Sequence, residues 1–249
     1  MSDQPLFSIP ESLVQTLRQA KHIVVLTGAG TSAESGVPTF REAQTGLWAQ
    51  YDPQELATPE AFRRNPKLVW EWYAWRRNLV TEVEPNPGHY ALAQLEQLVT
   101  KVTLITQNVD GLHQRAGSSN PIELHGNIMR TKCFAEDTAV SSWADSDEIP
   151  PRCPRCGGQL RPDVVWFGES LPYQALQDAI QAARTCDVFF SIGTSSLVQP
   201  AASLPLEAIR AGATTVEINP QATPLTHYVS YALAGPSGEV LPLLLQTVW

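Results

Sequence analysis

Four stretches of the chain are continuously apolar and rich in β-branched or aromatic residues: HIVVLTGAG, KVTLITQN, CDVFFSIGTS and ATTVEINP. Each of them runs directly into small or polar residues. Continuous apolar runs of this length are typical of parallel strands that are buried on both faces. Between the runs lie helix-like segments such as GHYALAQLEQLVT and YQALQDAIQAARTC. The alternation predicts an α/β fold with a doubly wound parallel sheet.

Two insertions interrupt this alternation. One covers approximately residues 40–85 and is aromatic and helical in pattern. The other covers approximately residues 130–161 and holds three of the four cysteines. Together they predict a small second lobe. Ligands of doubly wound sheets bind beyond the carboxyl ends of the strands, so the polar tips of the apolar runs are the candidate binding residues.

Composition and charge exclude several classes of protein. With 43% hydrophobic and 17% charged residues over 249 positions, the chain is predicted to be globular rather than disordered. Its start, MSDQPLFSIP, lacks a basic region followed by an apolar run, and no apolar stretch reaches the ~18 residues that span a bilayer. A formal net charge of -8 argues against nucleic acid and suits a cationic, lysine-bearing partner. We expect a cytoplasmic monomer.

The first apolar run ends in GAGTSAESG, where Gly28, Gly30 and Ala33 fit a G-x-G-x-x-A pattern. This pattern lets backbone amides approach a pyrophosphate at a helix N-terminus, although a glycine turn that only joins strand to helix is the alternative. In a dehydrogenase, a second strand would end in an acidic residue about 20 positions later. The chain instead reads VPTFREAQTGLWAQYDPQELATP, which predicts a loop folded over the ligand.

Six motifs occur in order along the chain: GAGTSAESGVPTFR, TQNVDGLH, ELHGN, RPDVVWFGE, GTSSLVQPA and INP. Their order and spacing resemble the sirtuin family, and the resemblance extends from about Ile23 to the C-terminal segment. It implies one catalytic domain over residues 1–249, with a cleft between two lobes. The Rossmann-like large lobe would comprise residues 10–39, 86–129 and 162–249. The small lobe would comprise the helical residues 40–85 and the zinc-ribbon-like residues 130–161.

The resemblance also implies an activity and its residues. The activity is NAD-dependent deacylation of acylated lysine in proteins or peptides, which yields nicotinamide, O-acyl-ADP-ribose and free lysine. His125 matches the general base, and Asn108 and Asp110 match catalytic residues around the nicotinamide and its ribose. The NAD-binding residues implied are Gly28, Ala29, Gly30, Thr31, Ser32, Glu34, Ser35, Thr39, Phe40, Arg41, Gln107, Asn108, Val109, Asp110, Gly193, Thr194, Ser195, Asn219 and Ser237. The remaining histidines are predicted to be structural and hydrogen-bonded: His22, His89, His113 and His227.

The segment WEWYAWRR sets Tyr73 and Arg76 on one face of a predicted helix, at positions i and i+3. One interpretation is that the tryptophans pack and the arginines extend to solvent, as we expect for Arg77. The segment also resembles the helix of sirtuins that act on acidic acyl groups, which implies succinyl or malonyl preference with Ala57 leaving room for the longer chain. The substrate-binding residues predicted in this way are Tyr73, Arg76, Val165, Phe167 and Gly168.

The cysteines depart from the family pattern. Cys153 and Cys156 have the C-x-x-C spacing of zinc ligands, but the partner pair reads CFAE, so Glu136 stands where a thiolate should follow Cys133. Two alternatives stay open: zinc held by three thiolates with Glu136, or a metal-free lobe packed by its own side chains. Cys186 is expected to begin a strand as a buried apolar residue.

Three classes of function remain after these motifs. A deacylase is favoured because the histidine, the TQNVD motif and the NAD loops occur together. A mono-ADP-ribosyltransferase would use the same NAD chemistry with a different acceptor. A sensor that binds NAD or ADP-ribose without turnover should lack the catalytic histidine, and His125 is present.

Overall fold

The structure is a computed structural model that describes residues 8–39, 51–144 and 147–249. Within these ranges the strands are β1 (His22–Thr27), β2 (Lys101–Thr106), β3 (Ile122–Glu123), β4 (Gly126–Cys133), β5 (Leu160–Val164), β6 (Val188–Ile192), β7 (Thr214–Asn219) and β8 (Tyr231–Ala234). The α-helices in the same ranges are α1 (Glu11–Gln19), α2 (Ala29–Ala33), α3 (Pro53–Leu56), α4 (Pro59–Arg64), α5 (Pro66–Glu82), α6 (Pro87–Leu98), α7 (Leu112–Arg115), α8 (Tyr173–Thr185), α9 (Leu204–Arg210) and α10 (Ser237–Val248).

Six strands form a parallel sheet in the order β3-β2-β1-β6-β7-β8. Each neighbouring pair runs parallel. The four apolar runs supply β2, β1, β6 and β7, which confirms the predicted doubly wound sheet. The outer strands β3 and β8 escape sequence prediction because they are only two and four residues long.

Helices cover both faces of this sheet. Successive side chains of β1 alternate between them, so Val25 joins the cluster with α1, α6 and α10, whereas Val24 and Leu26 join the cluster with α8 and α9. Phe190 and Phe189 of β6 divide in the same way. Because both faces are buried, neighbouring positions of the central strands are both apolar, rather than every second one.

The first insertion forms the short helices α3 and α4 and the longer α5. Each begins with a capping side chain followed by proline, and the capping residues are Asp52, Thr58 and Asn65. Their side-chain oxygens accept backbone N–H bonds from Gln54, Ala61 and Leu68 at 2.8 to 3.1 Å. These caps fix where the helices begin, and their apolar faces form a cluster around Phe62 and Trp72.

The second insertion is organised by β4 and β5, which pair antiparallel as a separate two-stranded sheet. These strands reach back to Gly126 and forward to Val164, so they extend beyond the predicted insertion of residues 130–161. Ile128 and Val164 join the cluster of the helical insertion. The two-stranded sheet of β4 and β5 therefore packs against the helical insertion.

Two details differ from or add to the sequence predictions. Cys186 is buried, as predicted, but it follows the last residue of α8, and the strand begins at Val188. Among the residues described, no helix is both long enough and apolar enough to cross a bilayer.

Candidate active site

The strand order reverses between β1 and β6, and the loops that follow these two strands are in direct backbone contact. The amide of Gly30 donates to the carbonyl of Gly193 at 2.8 Å. A side-chain carbon at Gly28 would lie 2.8 Å from that carbonyl oxygen, and Gly193 has a positive φ of 59°. Glycine is required at this approach, and the two loops meet at the point where doubly wound sheets bind ligands.

The TQNVD segment follows β2 and bonds to both of these loops. Asn108 is buried, and its amide nitrogen donates to the Gly28 carbonyl at 3.0 Å and to the Ser32 hydroxyl at 2.9 Å. The side chain of Gln107 donates to the Thr194 hydroxyl at 3.1 Å. Val109 is half-buried beside them. The structure thus brings the predicted motifs together at one edge of the sheet.

Asp110 is a buried carboxyl group in the same segment, 5% exposed. Burial raises its pKa, whereas the Leu112 amide, the Ser32 hydroxyl and the Arg76 guanidinium act in the opposite direction. The Leu112 amide donates to its Oδ1 at 2.9 Å. Asp110 therefore lies between the glycine loop and α5.

A third set of predicted residues lies further along the edge. The side chain of Asn219, at the end of β7, donates to the Thr194 carbonyl at 2.9 Å. The Ser237 hydroxyl, at the start of α10, donates to Glu34 at 2.6 Å. Ala29 is exposed. The other residues predicted here are half-buried: Gly30, Ser35, Thr39 and Ser195. Phe40 and Arg41 lie outside the described residues.

His125 lies between this edge and the segment that follows β5. Its Nδ1 lies 2.9 Å from the carbonyl oxygen of Gln107, which can only accept, so Nδ1 carries the proton and Nε2 carries the lone pair. Burial lowers the pKa of His125 below its ordinary value, although the Gln107 carbonyl raises it in part. The His125 carbonyl accepts from the Val165 amide at 2.9 Å. A neutral histidine with a basic Nε2 results.

Three other histidines occupy buried, hydrogen-bonded positions, which agrees with their predicted structural role. His22 contacts the Thr103 hydroxyl through Nε2 at 3.0 Å. The rings of His89 and His113 lie 4.8 Å apart, and burial lowers their pKa values to about 4 and about 3. His227 differs from that prediction because it is exposed.

Tyr73 and Arg76 are buried on α5, with 3% and 7% of their surface exposed. The interpretation that Arg76 extends to solvent is therefore wrong. Burial lowers the pKa of Arg76, whereas Tyr73 and Asp110 raise it. The Arg76 guanidinium lies 5.2 Å from the ring centroid of Trp72, one helical turn earlier. The buried guanidinium of Arg76 therefore lies near the Tyr73 phenol and the Asp110 carboxyl group.

The solvent-facing prediction for Arg77 is also wrong. Arg77 is half-buried, and its Nε donates to the Ile128 carbonyl at 2.6 Å. Its guanidinium lies 5.2 Å from the ring of Trp70. The sequence suggested exposure because Arg77 is one position away from the predicted inner face, but β4 covers that side of the helix. Arg77 therefore joins α5 to β4.

The segment after β5 connects the histidine to the helical insertion. The Phe167 amide donates to the carbonyl of the buried Ala57 at 2.9 Å, just as the Val165 amide bonds to His125. Phe167 and Gly168 are exposed, and Gly168 has a φ of 86°. The segment thus runs from His125 to Ala57, with Trp166 buried and the turn at Phe167 and Gly168 exposed.

The sequence model of the Sir2 family matches residues 28–200, which contain the glycine loop, the TQNVD segment, His125 and the segment after β5. The chain belongs to the Sir2 family. A protein of Methylococcus capsulatus named NAD-dependent protein deacylase is 52% identical to it over 246 residues, which cover 96% of each chain. A protein of Pseudomonas aeruginosa named NAD-dependent protein deacylase 1 is 50% identical, covering 94% of this chain and 97% of the relative.

Solved structures of Sir2 proteins match the fold over nearly the whole chain. A Sir2 homolog in complex with NAD has a TM-score of 0.90 at 48% identity and covers 97% of this chain and 94% of its own. A Sir2 homologue variant in complex with 2'-O-acetyl ADP ribose has a TM-score of 0.89 at 48% identity, with 96% of each chain covered. A Sir2 protein bound to acetylated peptide has a TM-score of 0.83 at 30% identity, covering 95% and 97%.

The structure also brings three of the four cysteines together with Glu136. One ligand atom from each of Cys133, Glu136, Cys153 and Cys156 lies within 4.8 Å of the others. The thiols of Cys133 and Cys156 are 3.4 Å apart, and Glu136 pairs with Arg155 at 3.3 Å. Three sulfurs and one carboxylate oxygen converging in this way fit a tetrahedral zinc ion.

Sequence reasoning did not single out three residues of this Sir2 site: Arg161, Trp166 and Glu169. The Trp166 indole nitrogen donates to the Tyr73 hydroxyl at 3.0 Å. Arg161 and Glu169, eight residues apart, form an ion pair around the segment that holds the tryptophan. The available signal was the placement of opposite charges at the two ends of RPDVVWFGE.

Proposed function

We propose that this protein is an NAD-dependent protein-lysine deacylase that transfers the acyl group of lysine to ADP-ribose. The products would be nicotinamide, O-acyl-ADP-ribose and free lysine. Support comes from curated relatives named as deacylases at 50% to 52% identity. Further support comes from structural neighbours in complex with NAD, acetylated peptide and 2'-O-acetyl ADP ribose.

The edge of the parallel sheet supplies the residues that would hold NAD. The glycine loop with Gly28 and Gly30 would accept the pyrophosphate because its backbone can be approached closely. Gly193, Thr194 and Ser195 would contact phosphate and ribose. When bound, NAD would supply the ribose that accepts the acyl oxygen and the nicotinamide leaving group. Asn108 and Asp110 are assigned to the nicotinamide end, and Asn219 and Ser237 to the adenosine end. The remaining predicted NAD contacts that lie within the described residues are assigned to the same edge.

The single observation that carries this proposal is the position and protonation of His125. Its Nδ1 donates to the Gln107 carbonyl in the TQNVD segment. Its backbone carbonyl accepts from the Val165 amide in the segment after β5. Burial favours the neutral ring, so Nε2 can accept a proton near neutral pH. A base that joins the two predicted binding regions suits removal of a ribose hydroxyl proton during acyl transfer.

Product analysis tests the activity. The protein is incubated with NAD and an acyl-lysine peptide, and the mixture is resolved by mass spectrometry. We expect nicotinamide, a deacylated peptide and O-acyl-ADP-ribose in equal amounts. An ADP-ribosyltransferase would leave the acyl group on the peptide, and a sensor would release no nicotinamide. Either of those results contradicts the deacylase proposal.

We also propose that the preferred acyl groups are succinyl and malonyl rather than acetyl. Arg76 and Tyr73 are buried together on α5, so a guanidinium and a phenol offer hydrogen-bond donors in a desolvated environment, where such bonds are stronger than in water. The carboxylate of a succinyl group can accept hydrogen bonds from both side chains. Hydrogen bonds to charged groups support a preference of roughly 10- to 1000-fold. The small side chain of Ala57 in the same aromatic cluster leaves space for a longer acyl chain.

The cysteine-containing lobe is proposed to hold a structural zinc ion through Cys133, Glu136, Cys153 and Cys156. The converging donor atoms support this assignment. Glutamate is unusual in a structural zinc site and should bind less tightly than a thiolate. The ion pair between Glu136 and Arg155 competes for the same carboxylate. We therefore expect zinc to bind, but less tightly than at a four-thiolate site.

A further inference from the structure

A buried ion pair joins Arg161 to Glu169 across the segment after β5, and the proposed chemistry does not use it. Arg161 contacts Glu169 through two nitrogens, at 2.5 and 2.9 Å. The Arg161 side chain is 3% exposed and that of Glu169 is 24% exposed. A bidentate pair with this burial fixes the separation of the two ends of the segment more firmly than a surface pair does.

The ion pair holds Trp166 on two sides. The Arg161 guanidinium carbon lies 3.2 Å from the centroid of the indole ring. Glu169 Oε2 accepts the Trp166 backbone amide at 2.8 Å, and Arg161 also donates to the Val164 carbonyl at 2.8 Å. Both the backbone and the ring of Trp166 are therefore fixed, and the tryptophan is 1% exposed.

The fixed indole ring is hydrogen-bonded to the proposed acyl pocket. Trp166 Nε1 and the Tyr73 hydroxyl are 3.0 Å apart. An indole nitrogen can only donate, so the Tyr73 oxygen is the acceptor in this bond and its own hydrogen stays available for another acceptor. Burial raises the pKa of Tyr73 to about 12, so the phenol keeps that hydrogen at neutral pH.

Building on the proposed function, we propose that Trp166 is a positioning residue for acidic acyl groups. It makes the Tyr73 hydroxyl a donor toward the substrate carboxylate, and the Arg161–Glu169 pair holds it in place. An acetyl group has no carboxylate to receive that hydrogen. Trp166 should therefore affect the ratio of catalytic efficiency on succinyl and acetyl peptides rather than the chemical step.

The test uses Trp166→Phe, which keeps an aromatic ring and removes the indole N–H. We expect catalytic efficiency on a succinyl-lysine peptide to fall by ~2- to 10-fold, the range for one hydrogen bond, with less than a twofold change on the matched acetyl peptide. In a Tyr73→Phe background the same change should have no further effect on the succinyl peptide. Trp143→Phe, in the cysteine-containing lobe, is the matched control.

Equal losses on both peptides, or a full loss that persists in the Tyr73→Phe background, would overturn this role. Glu169→Gln is the second variant, because it weakens the ion pair while keeping the shape of the side chain. It should shift the succinyl-to-acetyl ratio in the same direction by a smaller factor, and an unchanged ratio also counts against the proposal. A wild-type protein that releases no nicotinamide would instead refute the proposed function itself.

Discussion

The two sides of the candidate site are built in different ways. The proposed NAD side is centred on a close backbone approach at the carboxyl edge of the parallel sheet, where Gly28 and Gly193 meet and side chains such as Asn108 bond to the same loops. The proposed acyl side consists of side chains from α5 and from the segment after β5, with the buried Arg76 and Tyr73 at its centre. Backbone contacts suit the part of the reaction that is the same for every substrate. Side chains can select among acyl groups, so changes on the two sides should have separable effects.

The largest effect is expected for His125→Ala. The variant should fold and bind NAD but lose deacylation by roughly 10²- to 10⁴-fold, because general-base catalysis contributes about that much. Both acyl substrates should lose activity equally, since the base acts on the ribose hydroxyl. The measurement is kcat/KM on succinyl and acetyl peptides, with His227→Ala at an exposed position as the control. Near-normal turnover by His125→Ala would refute its assignment.

Arg76→Met should act on one substrate only. We expect a loss of roughly 10- to 1000-fold in desuccinylation, because the carboxylate loses its charged partner. Deacetylation should stay level or improve, since the acetyl group does not use the guanidinium. Arg64→Met, at an exposed position on α4, controls for loss of positive charge. A parallel loss on both peptides would show that Arg76 serves folding rather than selection.

Glu136→Cys should complete a four-thiolate site. The purified variant should contain more zinc per chain than the wild type by elemental analysis, because thiolate binds zinc more tightly than carboxylate. Each additional kcal/mol of stability should raise Tm by ~2–4 °C. Glu136→Ala should lower the zinc content. A wild-type protein without zinc, and with a Tm that chelator leaves unchanged, would favour the metal-free lobe.

The smallest effect concerns pH. The proposed catalytic base, His125, must be neutral to accept a proton, so activity should fall as pH decreases through its pKa. Burial lowers that pKa below 6.5, which moves the loss to lower pH. An ordinary histidine would keep roughly 55% of its pH 7.5 activity at pH 6.5, and we expect His125 to keep clearly more than that, measured as kcat/KM. A loss already complete above pH 7 would contradict a lowered pKa.

The fold could be predicted from sequence where the physical signal is local and repeated. Continuous apolar runs identified the central strands because both of their faces are buried. The short strands β3 and β8 carry too few residues to show a pattern. The caps at Asp52, Thr58 and Asn65 precede proline in the printed sequence, so they were available as start signals for the helices.

The candidate site was predictable to the extent that it consists of linked motifs. The sequence brought His125, Asn108 and the glycine loop into one prediction, but it did not show the direction of the Arg77 side chain. That direction depends on β4, which is 51 residues away at Ile128. The contact between Trp166 and Tyr73 spans 93 residues and leaves no periodic signal in either segment. Such pairings become visible only when the packing is known.

The most direct test of a separate acyl-selecting side is a paired measurement on wild-type protein. The same peptide is prepared with succinyl-lysine and with acetyl-lysine, and kcat/KM is determined for each at saturating NAD. The account predicts NAD-dependent release of nicotinamide with both peptides and a preference of roughly 10- to 1000-fold for the succinyl peptide. An equal or higher efficiency on the acetyl peptide would contradict it.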